Sequence, residues 1–336
     1  MHKLLLKHKL LRWESGLIAI LLSEIVIFGI LNPKFLQTRV LMGSINDFIS
    51  ICIISLFVTF VLITGGMDIQ AGSIVGLTSI SLGVLWQDAG LNIWTAVVVA
   101  ILIGALCGAI SGFFVAFTGV QAMVVTLGGQ FLYSGLALAV VNLSSSTAFE
   151  GISGYPKSFI MIGSGTFLGI PNQVVIFGVL IILGYVLLHK TNYGRYVFLC
   201  GINKKAAEYS GIRTKWIIMS TYMLSGMSAS VAGIILTSYL GSARADLGKE
   251  LTLPIITAVV LGGTSNLGGK GGVIGTALAA IVIGIMRFGL VMAGLSTQYL
   301  DIPIGVLLVV AVATRTVGSN TKLMKAISKR FKFKNA

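Results

Sequence analysis

The chain has 336 residues, of which 56% are hydrophobic and only 10% are charged, and its mean hydropathy is +0.97. An ordinary soluble domain carries about 25% charged residues and cannot bury this much apolar surface in one core. The composition therefore excludes a soluble globular protein, and the formal net charge of +14 belongs to a chain that lies in a membrane.

Long apolar runs follow one another along the chain. In hydrocarbon a segment has to satisfy its own backbone hydrogen bonds, so a run of about 20 apolar residues is predicted to form a helix. The runs predict an all-α polytopic membrane protein with about ten transmembrane helices, at residues 15–32, 44–64, 69–87, 93–117, 121–142, 173–189, 216–240, 251–262, 272–294 and 299–316. The eighth run is short for a span, and glycines precede the third.

Basic residues predict the orientation of these spans. Lys and Arg concentrate in residues 1–14, in the loop 190–215 and in residues 317–336, which ten spans would place on one side. Because basic flanking segments stay in the cytoplasm, we expect a cytoplasmic N-terminal segment (1–14), a transmembrane domain (15–316) and a cytoplasmic tail (317–336) in a bacterial inner membrane. Lys34 and Arg39 fall on the predicted outer side and are interpreted as interfacial residues that snorkel.

The same basic residues predict the kind of surface that the chain meets. They flank membrane spans, where anionic headgroups attract them, so membrane lipid rather than nucleic acid is the predicted partner. Cys52, Cys107 and Cys200 lack the spacing of a disulfide framework or a metal site, and the three histidines are scattered. No metal or cofactor is predicted.

The chain lacks a sequence pattern for energy conversion. The nearest candidate for a phosphate-binding loop, GGTSNLGGKG at residues 262–271, has the wrong spacing before its lysine and no hydroxyl after it. Ionisable residues in or beside the spans are few, namely Glu24, Asp47, Asp68, Arg287 and Asp301. Uphill transport would therefore need a partner that supplies the energy. An ion-driven secondary carrier remains the alternative from a different class, whereas a membrane enzyme is disfavoured because no clustered nucleophile or acid pair is present.

The longest predicted cytoplasmic loop contains a short helix. Residues 201–212 read GINKKAAEYSGI, in which Asn203 is a suitable N-cap, Ala206 and Ala207 favour a helix, and Gly211 suits its C-terminal end. The pattern predicts a helix from Lys204 to Ser210. It is either a docking segment, which small alanines allow another protein to approach closely, or a solvated connector.

This loop resembles the cytoplasmic coupling segment of the ribose and branched-chain amino-acid family of ABC importer permeases. Other family motifs are similar to GGMDI at residues 65–69, VTLG at 125–128, AVVLGGTS at 258–265 and GGKG at 268–271. Several motifs in the same order over most of the chain make the resemblance specific.

Within the family, three segments are most similar to the D-type permease subunits of autoinducer-2 importers: NDFI at 46–49, LHKT at 188–191 and SYLGSARADLG at 238–248. The resemblance implies a non-catalytic subunit that forms a translocation pathway. Its partners would be cytoplasmic ABC ATPase subunits, a second permease subunit that is expected to be a different chain, and a periplasmic solute-binding protein. Autoinducer-2 is the implied solute, and ribose or another monosaccharide is the alternative.

The resemblance also indicates site residues. Those implied for coupling to the ATPase are Gly201, Asn203, Ala206, Ala207, Glu208, Ser210 and Gly211. Polar residues in or near the spans are the candidates for the pathway, namely Asp47, Asp68, Gln70, Arg287 and Gln298.

Two of the pathway candidates have alternative roles. Asp68 could accept backbone hydrogen bonds at the start of span three, or it could face the pathway and contact solute hydroxyls. Arg287 and Phe288 stand before Gly289 where relatives usually carry an amide pair, so Arg287 could change which solute passes, or it could snorkel.

Glycine patterns predict close packing and an internal repeat. Gly104, Gly108 and Gly112 are spaced for close helix contact in span four. Residues 61–76 are faintly similar to residues 259–275, which suggests a repeat of spans 2–5 and 7–10, as is common in transporters.

Overall fold

The computed structural model describes residues 2–144 and 151–319, with side chains described for 13–144 and 151–313. The basic tail predicted for residues 317–336 lies outside the described residues from position 320 onward. One helix begins at His2 and continues to Leu31, with its apolar part starting at Trp13, and the cytoplasmic location of residues 1–14 stays a prediction.

Thirteen α-helices make up the described part of the chain. They are α1 (His2–Leu31), α2 (Thr38–Ile63), α3 (Ala71–Gln87), α4 (Ile93–Phe113), α5 (Ala122–Val141), α6 (Lys157–Ser164), α7 (Asn172–His189), α8 (Asn192–Ile202), α9 (Lys204–Tyr209), α10 (Thr214–Leu240), α11 (Thr252–Leu261), α12 (Val273–Met292) and α13 (Asp301–Ser319). A π-helical turn, Phe114–Thr118, extends α4. Short 3-10 turns lie at Pro33–Leu36 and Thr297–Tyr299.

Within the described residues, four two-residue strands form two small antiparallel pairs. Strand β1 (Ile152–Ser153) pairs with β4 (Ser242–Ala243), with Ile152 opposite Ala243. Strand β2 (Thr166–Phe167) pairs with β3 (Ile170–Pro171). These pairs tie loops together, and the architecture is all-α.

Each of the ten predicted spans coincides with a helix, but the helices are not equivalent. Within the described residues, seven helices are long and apolar enough to cross a membrane, so the chain is a polytopic membrane protein. Helix α3 has 17 residues and α11 only 10. The length of α11 is therefore about 15 Å, whereas the hydrocarbon core of a bilayer is about 30 Å thick. Helix α11 alone therefore cannot cross a bilayer, and the total of ten spans stays a prediction.

The connecting segments gather at two ends of the helix bundle. At one end the N–H of Gly269 donates to the carbonyl of Ile63, and Trp13 Nε1 donates to the carbonyl of Leu261 (2.9 Å). At the other end β1 pairs with β4, and Asn32 Nδ2 donates to the carbonyl of Met292 (3.0 Å). The first end holds the loops predicted to be cytoplasmic, and the second holds those predicted to lie outside.

Helices α2 and α10 form the centre of the bundle. Every residue of α2 from Phe48 to Ile63 is buried. Glycines let α4 approach α10 as predicted, because a Cβ on Gly104, Gly108 or Gly112 would overlap atoms of α10, at Ser230, Tyr222 and Met219 respectively. Close backbone contact of this kind is a common way to hold helices together in lipid.

The packing of α2–α5 is repeated by α10–α13. Helix α3 packs against α4, α5 and α10, and α11 correspondingly packs against α12, α13 and α2. The two units run in opposite directions, since α2 ends at the Gly269 end of the bundle and α10 begins there. This neighbour pattern matches the predicted repeat and gives it an inverted arrangement.

Candidate functional site

The short helix in the loop 190–215 is present as predicted. Asn203 Oδ1 accepts the N–H of Ala206 (3.1 Å) at the start of α9. At its other end Gly211 has φ +79°, a left-handed conformation that glycine adopts without strain. The preceding residues were expected to be loop, but they form α8, an 11-residue helix, so the segment is a helix pair rather than one helix in a loop.

The predicted coupling residues divide by exposure. Ala206, Glu208 and Ser210 are exposed, whereas Ala207 is only 4% exposed and packs inside the protein. Glu208 Oε1 accepts a hydrogen bond from Thr214 Oγ1 (2.6 Å), which joins α9 to the start of α10. A partner that contacts α9 would therefore meet Ala206, whereas a larger side chain at position 207 would have no solvent to enter.

Gly201 is required by packing within the chain. A Cβ at this position would overlap the carbonyl oxygen of Ile63 and approach the backbone nitrogen of Gly269. Gly268 in turn lies against the carbonyl of Gly201. The end of α8 is thereby fixed to the end of α2 and to the 262–272 loop, so movement of α8 would be passed directly to both.

Exposed apolar side chains at the same end were missed in the sequence. Tyr209 is 92% exposed, Leu267 86% and Ile202 68%. Each lies in or beside the predicted coupling region, and Leu267 belongs to the loop that contacts α8. An apolar residue within a charged loop is the signal that could have identified them.

A half-buried contact between two hydroxyl groups anchors α8 to the bundle. Tyr193 Oη and Ser220 Oγ on α10 are 2.8 Å apart. Burial raises the pKa of Tyr193 to about 12 and that of the Cys200 thiol to about 11. Both groups are neutral at physiological pH, and the Cys200 thiol is correspondingly unreactive.

The chain is not helical between α2 and α3, and Asp68 organises this break. Asp68 is 1% exposed; its Oδ1 accepts the N–H of Gln70 (3.1 Å) and its Oδ2 accepts from Ser225 Oγ (2.6 Å). The N-cap of α3 is Gln70, so Asp68 supports the start of α3 from two residues before the cap. These contacts favour the structural hypothesis for Asp68 over direct contact with solute.

Gln70 extends this polar cluster to the neighbouring helices. Its Oε1 accepts a hydrogen bond from Ser111 Oγ on α4 (2.7 Å), and Ser111 Oγ lies 3.2 Å from Tyr133 Oη on α5. Tyr133 Oη also donates to the carbonyl of Cys107 (2.9 Å). Gln70 Nε2 is buried without a hydrogen-bond partner in this structure. The cluster joins α3, α4, α5 and α10 inside the bundle.

A second non-helical segment, residues 242–251, precedes α11 and runs antiparallel to α3. Glycines on α3 make room for it, because a Cβ on Gly76 would overlap the carbonyl of Ala245 and one on Gly72 would overlap that of Gly248. Thr252 Oγ1 then donates to the carbonyl of Ile69 (3.2 Å). The first residues of α3 and α11 therefore lie close together, inside the bundle and away from both ends.

The five predicted pathway residues are not assembled into one cluster. Asp68 and Gln70 are buried together, whereas Asp47 on α2 and Gln298 beside α13 are exposed. The Arg287 side chain is 18% exposed, with Nη2 lying 3.9 Å from a Glu250 carboxylate oxygen and Nη1 3.9 Å from one of Asp301.

Comparison with known proteins gives a consistent result. The family described as branched-chain amino acid transport system, permease component, matches residues 40–312. The autoinducer 2 import system permease protein LsrD of Klebsiella pneumoniae is 41% identical over 320 residues, which cover 95% of this chain and 96% of the relative. The proteins of the same name from Salmonella paratyphi A (42% identical, 91% and 92% covered) and Yersinia enterocolitica (42% identical, 93% and 94% covered) are similar to the same extent. No solved structure matches the chain.

Proposed function

The chain belongs to the family of branched-chain amino acid transport system permease components, and from this premise we propose that it is the permease subunit of an ABC importer for autoinducer-2. It is a multi-pass protein of the bacterial inner membrane. The observation that carries the choice of solute is the identity of 41–42% to autoinducer 2 import permeases, which extends over more than nine-tenths of both chains.

The permease is proposed to be non-catalytic and to depend on separate ATPase subunits. The lack of a phosphate-binding loop in the sequence supports this division of labour. Both termini and the helix pair α8–α9 face the cytoplasm in this proposal, with the basic segments 1–14 and 317–336 next to anionic lipid. A second permease chain and a periplasmic solute-binding protein complete the importer.

The ATPase is proposed to dock at α9 and the surface beside it. Ala206, Glu208 and Ser210 would contact it directly, together with the exposed apolar residues Tyr209 and Leu267. Asn203, Ala207, Gly201 and Gly211 would act indirectly, because they give α9 its shape and its attachment. The packing of Gly201 against Ile63 supports transmission from this surface to α2.

The solute pathway is proposed to lie at the interrupted helices. Asp68 and Gln70 would position α3, and Arg287 would lie nearer to the passing solute. Asp47 and Gln298 remain candidates because both side chains are exposed. Broken helices near the bilayer centre are typical of transporter binding regions.

The decisive experiment is uptake into proteoliposomes. The vesicles contain this chain, the second permease and the ATPase, and the binding protein is supplied. They should accumulate labelled autoinducer-2 only when ATP is present on the side of the membrane that the ATPase faces. Labelled ribose tests the alternative monosaccharide. Uptake that persists without ATP and stops when an ion gradient is collapsed would instead identify a secondary carrier.

A further inference from the structure

Residues 242–251 cross much of the bundle without forming a helix. Ala243 lies beside Gly83, Ala245 beside Gly76 and Gly248 beside Gly72. From Gly83 to Gly72 α3 rises about 16 Å, so this segment, which forms successive turns from Ala245 onward, descends roughly half the thickness of a bilayer. Such a non-helical backbone cannot face lipid, because hydrocarbon would not satisfy the groups that a regular helix would pair.

The side chains on this segment are charged and accessible. Arg244 Nη2 and Nε lie 2.8 and 2.9 Å from the two carboxylate oxygens of Asp246, and both side chains are nearly half exposed. Lys249 and Glu250 follow and are exposed as well. Charged groups at such depth in lipid would cost several kcal/mol each, roughly 2.5–3.5 even on the more lenient scales, so they require water or a polar partner.

A second element contributes to the same surface. Arg287 on α12 lies 3.9 Å from Glu250, although the two residues are far apart in sequence. Helix α11 begins at Thr252, immediately after the charged segment, and the N–H groups at a helix start favour negatively polarised oxygen. The surface therefore offers cations, anions and backbone donors side by side.

We propose that residues 242–251 form one wall of a water-filled channel that opens at the outer end of the protein and reaches the start of α11. The Arg244–Asp246 pair, Lys249 and Glu250 line it, with Arg287 opposite Glu250. Such mixed charges suit a small polyhydroxylated solute, because its hydroxyls both donate and accept hydrogen bonds. The identity of the solute rests on the proposed function; the existence of the channel does not.

Thiol labelling tests the channel directly. The native cysteines Cys52, Cys107 and Cys200 are at most 6% exposed and provide a silent background. In the full chain in cell membranes, Asp246→Cys is treated from the outer side with a charged, membrane-impermeant thiol reagent. The matched control is Leu102→Cys on α4, a position that is 61% exposed. The two positions have a similar depth, since Leu102 lies about 14 Å from the outer start of α4 and Asp246 lies beside α3 about 16 Å from its outer end.

The expected result is labelling of Asp246→Cys at least ten-fold faster than of Leu102→Cys, because only the former meets water. Equal, slow labelling of both variants would overturn the channel. Loss of labelling when the second permease is co-expressed without solute would also overturn it, by showing that the segment is a subunit interface.

Solute protection separates this inference from the proposed function. Excess autoinducer-2, delivered with its binding protein, should slow the labelling of Asp246→Cys in the assembled importer. Rapid labelling combined with protection by ribose alone would keep the channel and reject the proposed solute. Normal ATP-dependent uptake of autoinducer-2 with an unreactive Asp246→Cys would keep the proposed function and reject the channel.

Discussion

Buried polar residues in this permease form hydrogen bonds with polar groups that lipid would leave without a partner. Asp68 shows this most clearly, since one carboxylate oxygen accepts a backbone N–H before α3 and the other accepts the Ser225 hydroxyl on α10. Both carboxylate oxygens are hydrogen-bonded, as burial of such a polar group requires. The residue thus joins the first broken helix to the central helix α10.

Replacing Asp68 by Ala should therefore destabilise the fold. The N–H of Gln70 and the hydroxyl of Ser225 would be left buried without partners, at a cost of about 1–3 kcal/mol. We expect less protein in the membrane and a lower melting temperature in detergent, with Asp47→Ala, an exposed position on α2, unchanged. An Asp68→Ala protein of normal stability that fails to transport would instead assign Asp68 to the pathway.

Ala206 and Ala207 should respond differently to a bulky charge. Ala206→Arg adds its side chain to solvent, so the protein should accumulate normally while ATPase pull-down and ATP-dependent uptake are lost. Ala207→Arg should reduce accumulation itself, because the native methyl group is 4% exposed. The control is Ser164→Arg, an exposed position at the opposite end of the bundle. If Ala206→Arg still binds the ATPase and transports at the original rate, α9 is not the coupling helix.

At the scale of elements, the broken helices depend on close backbone contact. The α3 glycines Gly72 and Gly76 make room for the non-helical segment 242–251 where any side chain would overlap it. Substitution of glycine by alanine usually stabilises a helix by about 1 kcal/mol. At these positions helix propensity therefore favours alanine, whereas packing disfavours it.

Gly76→Ala should consequently destabilise the protein, by about 1–3 kcal/mol, because the carbonyl of Ala245 would have to move. Gly135→Ala on α5 is the matched control, since no atom lies within 4 Å of its added Cβ, and it should be neutral or slightly stabilising. The measurement is thermal unfolding of both purified variants in one detergent. Equal melting temperatures would contradict the placement of residues 242–251 against α3.

At the scale of the whole molecule, the two ends of the bundle separate loops of different charge. The end that holds Ile63, Gly201 and Gly269 also carries α9 and its lysines. Basic loops remain on the cytoplasmic side of bacterial membranes, which sets the proposed orientation.

Reporter fusions test this orientation. A reporter that is active only in the cytoplasm should work after residue 203 and after residue 320, and it should fail within residues 144–157; positions 145–150 and 320 lie outside the described residues. Activity of the 144–157 fusion would refute the ten-span arrangement with cytoplasmic termini.

The membrane class, the approximate positions of the helices and the family follow from the amino-acid sequence alone. Apolar runs and basic flanks are local signals, and lipid leaves a chain few alternatives to helices. The cap at Asn203 and the end at Gly211 were likewise readable, because capping depends on residues within one turn of each other.

Which of these features meet in space depends on the packing of the helices. Two contacts join positions that are distant in sequence: α3 packs against residues 242–251, and Arg287 lies near Glu250. The burial of Ala207 depends on which side of a short helix is covered. The SYLGSARADLG sequence at residues 238–248 indicates the family by resemblance, but it contains no signal for its packing against α3. It packs against α3 only because glycines on that helix make room for it, and no pattern within the segment itself encodes that space.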